Sequence, residues 1–347
     1  MTNDVVLQTM ALPPSPSPWP AVDPFLFCVH HNDHYPAGNG AMGPAASLEG
    51  RQLGQDFADK DGWNMYHGTL VPGFPQHPHR GFETITYARN GFIDHSDSLG
   101  AAARFGRGDV QWMTAGGGVV HSEMFPLLDD NGPNQVELFQ IWLNLPPADK
   151  LVDPHFTMLW DGSIPRLTHT DDQGRTATVT VIAGSLGTGA TAPLPPPASW
   201  ASRPDTDVAI AHLVLEEGAH CTIPAGIGSD TLRMLYLFDG AGATVEDTAV
   251  APRSAVLVDG SAAMELVADA GEGIEILMLQ GRPIGEPVAR YGPFVMNTED
   301  QIREVFADYR HTQFGGWPWP DDAPVHPADQ DRFARHANGL LEAPPPT

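Results

Sequence analysis

His77-Pro78-His79 and His121-Ser122-Glu123 each place two potential metal ligands at positions i and i+2. In an extended segment alternate side chains share a face, so each pair presents both donors on one side of a strand. Two such pairs facing each other supply three imidazoles and a carboxylate, a donor set that suits first-row transition metals. Four donors on an ion that prefers six leave two positions for O2 and one oxygen of a substrate. A lone H-x-H is usually a pair of surface or core histidines. The H-x-E pair beyond a glycine-bounded strand, Gly108 to Gly116, is what makes the combination specific. Glu83 is a second carboxylate with the same parity as His79, provided the strand stays regular. It would sit roughly 13 Å further along the strand, so reaching the same ion needs a bend, which Gly81 can supply. Glu123 and Glu83 are thus both candidates for ligand or proton acceptor, with the shorter reach favouring Glu123 as the ligand.

Strands must carry these groups. From about Asp23 to Pro147 short runs rich in β-branched and aromatic residues alternate with Gly and Pro, among them 81–87, 109–113 and 136–143. A second block of the same texture runs from about Thr176 to Leu279, with strands expected at 176–182, 208–215, 231–237, 255–258 and 274–279. The chain has 347 residues, enough for about two domains. The division expected is a proline-rich, mobile lead-in at 1–22, a first β-domain at 23–150, a second at 151–315 and a polar, partly disordered tail at 316–347. The domain boundary should fall between about Pro147 and Thr176. One helix is expected near the end, capped by Thr298 with Gln301 as its capping-box partner. Ile302, Val305, Phe306 and Tyr309 share one face of it.

Other residues have plainer readings. His30, His31 and His34 sit among Asn, Asp and Pro and read as exposed polar loop histidines rather than a second metal site, and His95 with Asp97 reads as stabilising a turn or lying near the pocket, with the structural role favoured. Phe74, Phe82, Trp112 and Met113 divide between a pocket mouth and the core. His212 and His220 in the second block lack a ligand-spaced partner, so that domain is expected to hold no metal. Two distant cysteines, Cys28 and Cys221, form no disulfide framework, and no basic residue precedes Arg51. A cytoplasmic location is the expectation. A formal charge of −25 disfavours nucleic acid and anionic membranes as partners.

The segments His77–Tyr87, Asp97–Gly100, Gly108–Gly116, His121–Met124, Gln140–Pro146 and Gly292–Thr298 resemble those of the pirin family, a branch of the cupin superfamily. The likeness spans about residues 23–315. It implies an all-β chain of two cupin-type antiparallel β-barrels (a bicupin) with a short C-terminal helix, and a metal in the first barrel only. Carried onto this sequence, the family's ligands are His77, His79, His121 and Glu123. The metal implied is Fe(2+), while manganese, copper, nickel and zinc accept the same donors. Two features depart from the general cupin pattern: Thr114-Ala115-Gly116 leads to His121 by a longer spacing, and Glu83 occupies the usual carboxylate place. The activity implied is a quercetin 2,3-dioxygenase-like opening of a flavonol by O2. The family's other mode is an iron-dependent regulator that binds a protein partner without catalysis.

Overall fold

The computed structural model describes residues 5–187 and 189–346. Residues 1–4, Thr188 and Thr347, and with them the first part of the lead-in, lie outside the described residues. The strands in chain order are β1 (Val6–Ala11), β2 (Phe25–Tyr35), β3 (Gly73–His79), β4 (Phe82–Asn90), β5 (Phe92–Asp97), β6 (Ala102–Gly106), β7 (Val110–Thr114), β8 (Val119–Met124), β9 (Asn134–Asn144) and β10 (His155–Leu159). Next come β11 (Arg166–Thr170), β12 (Thr176–Ala183), β13 (Ala209–Leu215), β14 (His220–Ile223), β15 (Leu232–Gly240), β16 (Ala243–Val245), β17 (Thr248–Val250), β18 (Ser254–Asp259), β19 (Met264–Ala268) and β20 (Ile274–Gly281). The chain ends with β21 (Ala289–Tyr291), β22 (Phe294–Met296), α1 (Glu299–Thr312), β23 (Phe333–Arg335) and β24 (Leu341–Glu342).

Two compact units result. One comprises Val29–Asp161 with Glu286–Thr347, the other Met1–Cys28 with Gly162–Gly285. The first contains a five-stranded sheet, ordered β10-β7-β4-β9-β2, and a six-stranded sheet, ordered β24-β23-β6-β5-β8-β3. The second contains a seven-stranded sheet, β1-β18-β15-β20-β13-β12-β11, and a four-stranded one, β14-β19-β16-β17. Each is a cupin-type β-sandwich of open sheets, where closed barrels were expected. No helix among the described residues is long and apolar enough to cross a membrane.

Both chain ends depart from the sequential division. The described part of the lead-in is paired: β1 pairs antiparallel with β18, and Tyr236 donates its hydroxyl to Pro20 O at 2.7 Å. The tail is not loose either. β23 pairs with β6, and Gln76 donates its backbone N–H and its side-chain amide to Asp322, each at 2.7 Å. Between those ends Arg104, fully buried, holds both oxygens of Asp94 and donates to the carbonyls of His326, Pro327 and Gln330. The tail is thereby tied to β6 at one end of the β6-β5-β8-β3 sheet and to its edge strand β3 at the other.

The helix forms as its sequence dictates. Thr298 accepts from Gln301 N and Gln301 reaches back to the Thr298 N–H, a capping box worth about 0.5–2 kcal/mol. Its apolar face, Ile302 and Val305 with Phe306 and Tyr309, packs on Val120 of β8, Phe294 and Phe314. The helix therefore belongs to the unit that carries the histidine pairs, not to the second domain as expected.

In the second unit the space between the sheets is filled by aliphatic side chains such as Val181, Leu213, Leu235, Val256 and Ile276. His212 alternates with Ala211 and Leu213 of that core, so it lies on the other face of β13, where Nε2 is 2.8 Å from Glu275. His220 is exposed.

Candidate metal centre

β3 and β8 pair antiparallel, with His77 opposite His121, His79 opposite Val119 and Phe74 opposite Glu123. Three residues of β3 span what two span on β8, because the ladder is bulged between Phe74 and His77. Pro75 occupies that bulge, where the missing N–H removes no ladder bond. The bulge places Phe74 and His77 on one face with His121 and Glu123. On the other side of β8, His95 of β5 lies opposite Glu123 and Asp97 opposite His121.

The three histidines converge. Their ligand-capable atoms lie within 4.8 Å of one another, with ring centres 4.4 Å apart for His77 and His121, 4.9 Å for His79 and His121, and 4.8 Å for His77 and His79. Burial holds the His77 imidazole down at about 4, and His79 and His121 well below their usual value, so all three are neutral at pH 7 and keep a lone pair. Pro75 O, 2.8 Å from His77 Nδ1, fixes the proton there and leaves Nε2 as the donor nitrogen. His79 Nδ1 and both nitrogens of His121 are buried with no hydrogen-bond partner. Buried polar atoms without partners are rare and costly. One such nitrogen from His79 and one from His121 at the convergence fit an ion at that point, and neutral imidazoles are the right ligands for it.

Glu123 Oε2 is 3.9 Å from His121 Nε2, too long for a hydrogen bond, while the Thr86 hydroxyl lies 3.0 Å from Oε1. Burial raises the carboxyl's pKa, partly offset by His95 and Thr86. Thr86 also lies 2.7 Å from Gln140 Oε1. These contacts hold one Glu123 oxygen and leave the other on the histidine side.

Glu83 is a correction. The chain leaves the six-stranded sheet after His79 and enters the five-stranded one at Phe82, turning at Gly81 with φ +86°. A Cβ at Gly81 would fall 2.0 Å from Val295 O, so only glycine fits. Strand parity does not survive the turn. Phe82, Thr84 and Thr86 share the face toward the histidines, whereas Glu83 lies opposite Thr114 on the other face and accepts its hydroxyl at 2.6 Å. The residue expected as second carboxylate or proton acceptor is not brought to the cluster.

His95 lies near the cluster, the less favoured of its two expected places. It is fully buried, its ring centre is 5.5 Å from that of His121, and its Nε2 is 3.2 Å from Asp97 Oδ2. The signal was its H-x-D spacing, the same i, i+2 parity as the ligand pairs. His30 and His31, read as loop residues, are buried on β2, His30 beside Glu137 and His31 beside Tyr66, while His34 on the same strand is exposed. Phe82 and Trp142 lie with ring centres 4.2 Å apart, tilted by 36°, and flank His79 at 5.1 and 5.5 Å. Trp112 lies on the face of Ile85 and Glu83 and is core, as is Met113.

Comparison with known proteins agrees with this architecture. A family model described as Pirin matches residues 15–143, and one described as Pirin C-terminal cupin domain matches residues 210–315. A pirin-like protein of Caulobacter vibrioides is 37% identical over 273 residues, covering 78% of this chain and 90% of its own. A Pseudomonas aeruginosa protein provisionally named a quercetin 2,3-dioxygenase is 36% identical over 244 residues, 69% of this chain and 79% of its own. A crystal structure of quercetin 2,3-dioxygenase from Acinetobacter baumannii shares the fold, with a TM-score of 0.68 at 24% identity over 90% of this chain and 98% of that one.

Proposed function

The chain belongs to the pirin family, and from that premise we propose that it is a metal-dependent dioxygenase that opens the central ring of a flavonol such as quercetin with O2, releasing carbon monoxide. The observation that carries the reading is His121, a buried imidazole with neither nitrogen partnered, at the convergence of three histidines. The name carried by the Pseudomonas relatives supports the substrate class.

His77, His79, His121 and Glu123 would hold the ion. Iron fits these donors, as do manganese, copper, nickel and zinc. When bound, such an ion supplies Lewis acidity toward the flavonol 3-oxygen and a redox centre for O2. The remaining work falls to this chain's own groups. Glu123 takes the proton of the 3-hydroxyl. Thr86 orients that carboxyl through Oε1. Phe82, Trp142 and Phe74 set apolar ring faces beside the histidines and keep water from the reacting oxygen.

The test is aerobic turnover of a flavonol panel by iron-loaded protein with carbon monoxide measured directly. Release of carbon monoxide in step with flavonol loss is expected. A metal-loaded protein that consumes no flavonol in the panel would sink the proposal.

A further inference from the structure

Between β2 and β3 the chain runs through residues 36–72 with no strand and only a short 3-10 turn at Lys60–Gly62. A connection this long in a compact domain usually has a function of its own. This one is pinned. The Arg51 guanidinium lies 3.2 Å over the Trp63 ring centre and donates to Asp56, Trp63 O and Lys60 O at 2.8, 2.9 and 2.6 Å. On β2, Asp33 takes the backbone and side-chain amides of Asn64 on one oxygen and the Tyr66 hydroxyl on the other, at 2.6 Å. Tyr66 has given its only proton to Asp33, so the 2.8 Å contact to His31 Nδ1 is donated by His31. A charged side chain and a three-residue relay thus fix the loop against the strand.

The loop so held delivers a set of rings. Phe57, Tyr66 and His67 surround Phe74, with centres 6.5, 5.0 and 5.7 Å from it. Phe74 is the residue opposite Glu123, and its ring is 6.3 Å from His77. A continuous aromatic surface therefore leads from the loop to a metal-ligand candidate. Phe57, 39% exposed, and His67 are its exposed members, while Phe74 is half-buried and Tyr66 buried. Rings at such separations offer offset and edge-on contacts to another planar ring.

We propose that the 36–72 loop is a substrate-selecting wall and that Phe57 and Phe74 take the face of a planar aromatic molecule beside His77, with Phe57 a specificity-determining residue. The proposal rests on the dioxygenase reading for the identity of that molecule as a flavonol. It makes the loop, not the metal ligands, the source of preference for fused aromatic rings over smaller enols.

The experiment separates binding from turnover. Dissociation constants are measured on metal-loaded protein for flavone, which lacks the 3-hydroxyl, using wild type, Phe57→Ala, Phe57→Leu, Phe57→Trp and, as control, Leu70→Ala. Leu70 is 79% exposed on the same loop. The expected result is about five- to tenfold weaker binding for Phe57→Ala and Phe57→Leu. Phe57→Trp retains affinity, Leu70→Ala stays within about twofold, and metal content is equal in all. Wild type that binds no flavone, or Phe57→Ala that binds it as wild type does, overturns the wall. Flavone binding that depends on Phe57, with no flavonol releasing carbon monoxide, leaves the wall standing and removes the dioxygenase reading. Carbon monoxide release with binding indifferent to Phe57 does the reverse.

Discussion

His77 and His121 face each other as directly opposed partners across the β3–β8 ladder, their ring centres 4.4 Å apart. Opposed side chains on an antiparallel pair have their Cβ atoms about 5 Å apart, so this register alone brings two imidazoles within reach of one ion. The bulge at Pro75 then lets Phe74 share that face. The centre is thus a consequence of strand pairing, with His79 added by i+2 parity.

Glu123 and Glu83 should separate cleanly. Glu123→Gln is expected to weaken metal binding about tenfold or more, because it removes the carboxylate beside His121. Glu83→Gln should leave metal affinity within about twofold, since its carboxyl faces Thr114 on the other side of β4. Metal titration of both variants checks this, and the opposite ranking would return Glu83 to the site.

Arg104 should be a stability residue for the unit that carries the centre. Arg104→Ala strands the buried Asp94 carboxylate and releases three tail carbonyls. Breaking a buried ion pair from one side costs about 3–5 kcal/mol. Denaturant unfolding should show a loss of that order; a loss below about 1 kcal/mol would mean the tail is not held as described.

Lys150 gives a pH signature. Burial pulls its amine down to about 8, and Nζ donates to Gly81 O and Asn144 Oδ1 with no acid partner in those contacts. Between about 8 and 10.5 the unfolded chain binds more protons than the folded one, so stability from this group rises with pH across that window. Relative to Lys150→Met, wild type should gain up to roughly 3 kcal/mol from pH 8 to pH 10.5. A flat difference across that range would show that the amine is not desolvated.

The convergence of His77, His79 and His121 was legible because a strand's two-residue period is local: the H-x-H and H-x-E spacings need no knowledge of the fold. The capping box on α1 was legible for the same reason. What failed depended on distant partners. Glu83 kept its parity on paper, but the chain changes sheets at Gly81, and only Val295 O, over two hundred residues away, shows why. His95 acquires its place from pairing with β8, and β1 from pairing with β18, far along the chain. The proline-rich lead-in and the polar tail looked mobile because their composition lacks a core-forming period. Backbone partners, a buried arginine and paired edge strands order them instead.

On the geometry above, His77, His79 and His121 would hold one metal ion per chain. Elemental analysis of purified wild type beside the His77→Ala/His121→Ala double variant tests it most directly, with melting temperature read on the same samples. About one equivalent of transition metal is expected in wild type and a small fraction of that in the double variant, whose melting temperature should no longer respond to added metal. Undiminished metal in the double variant would place the ion away from these histidines.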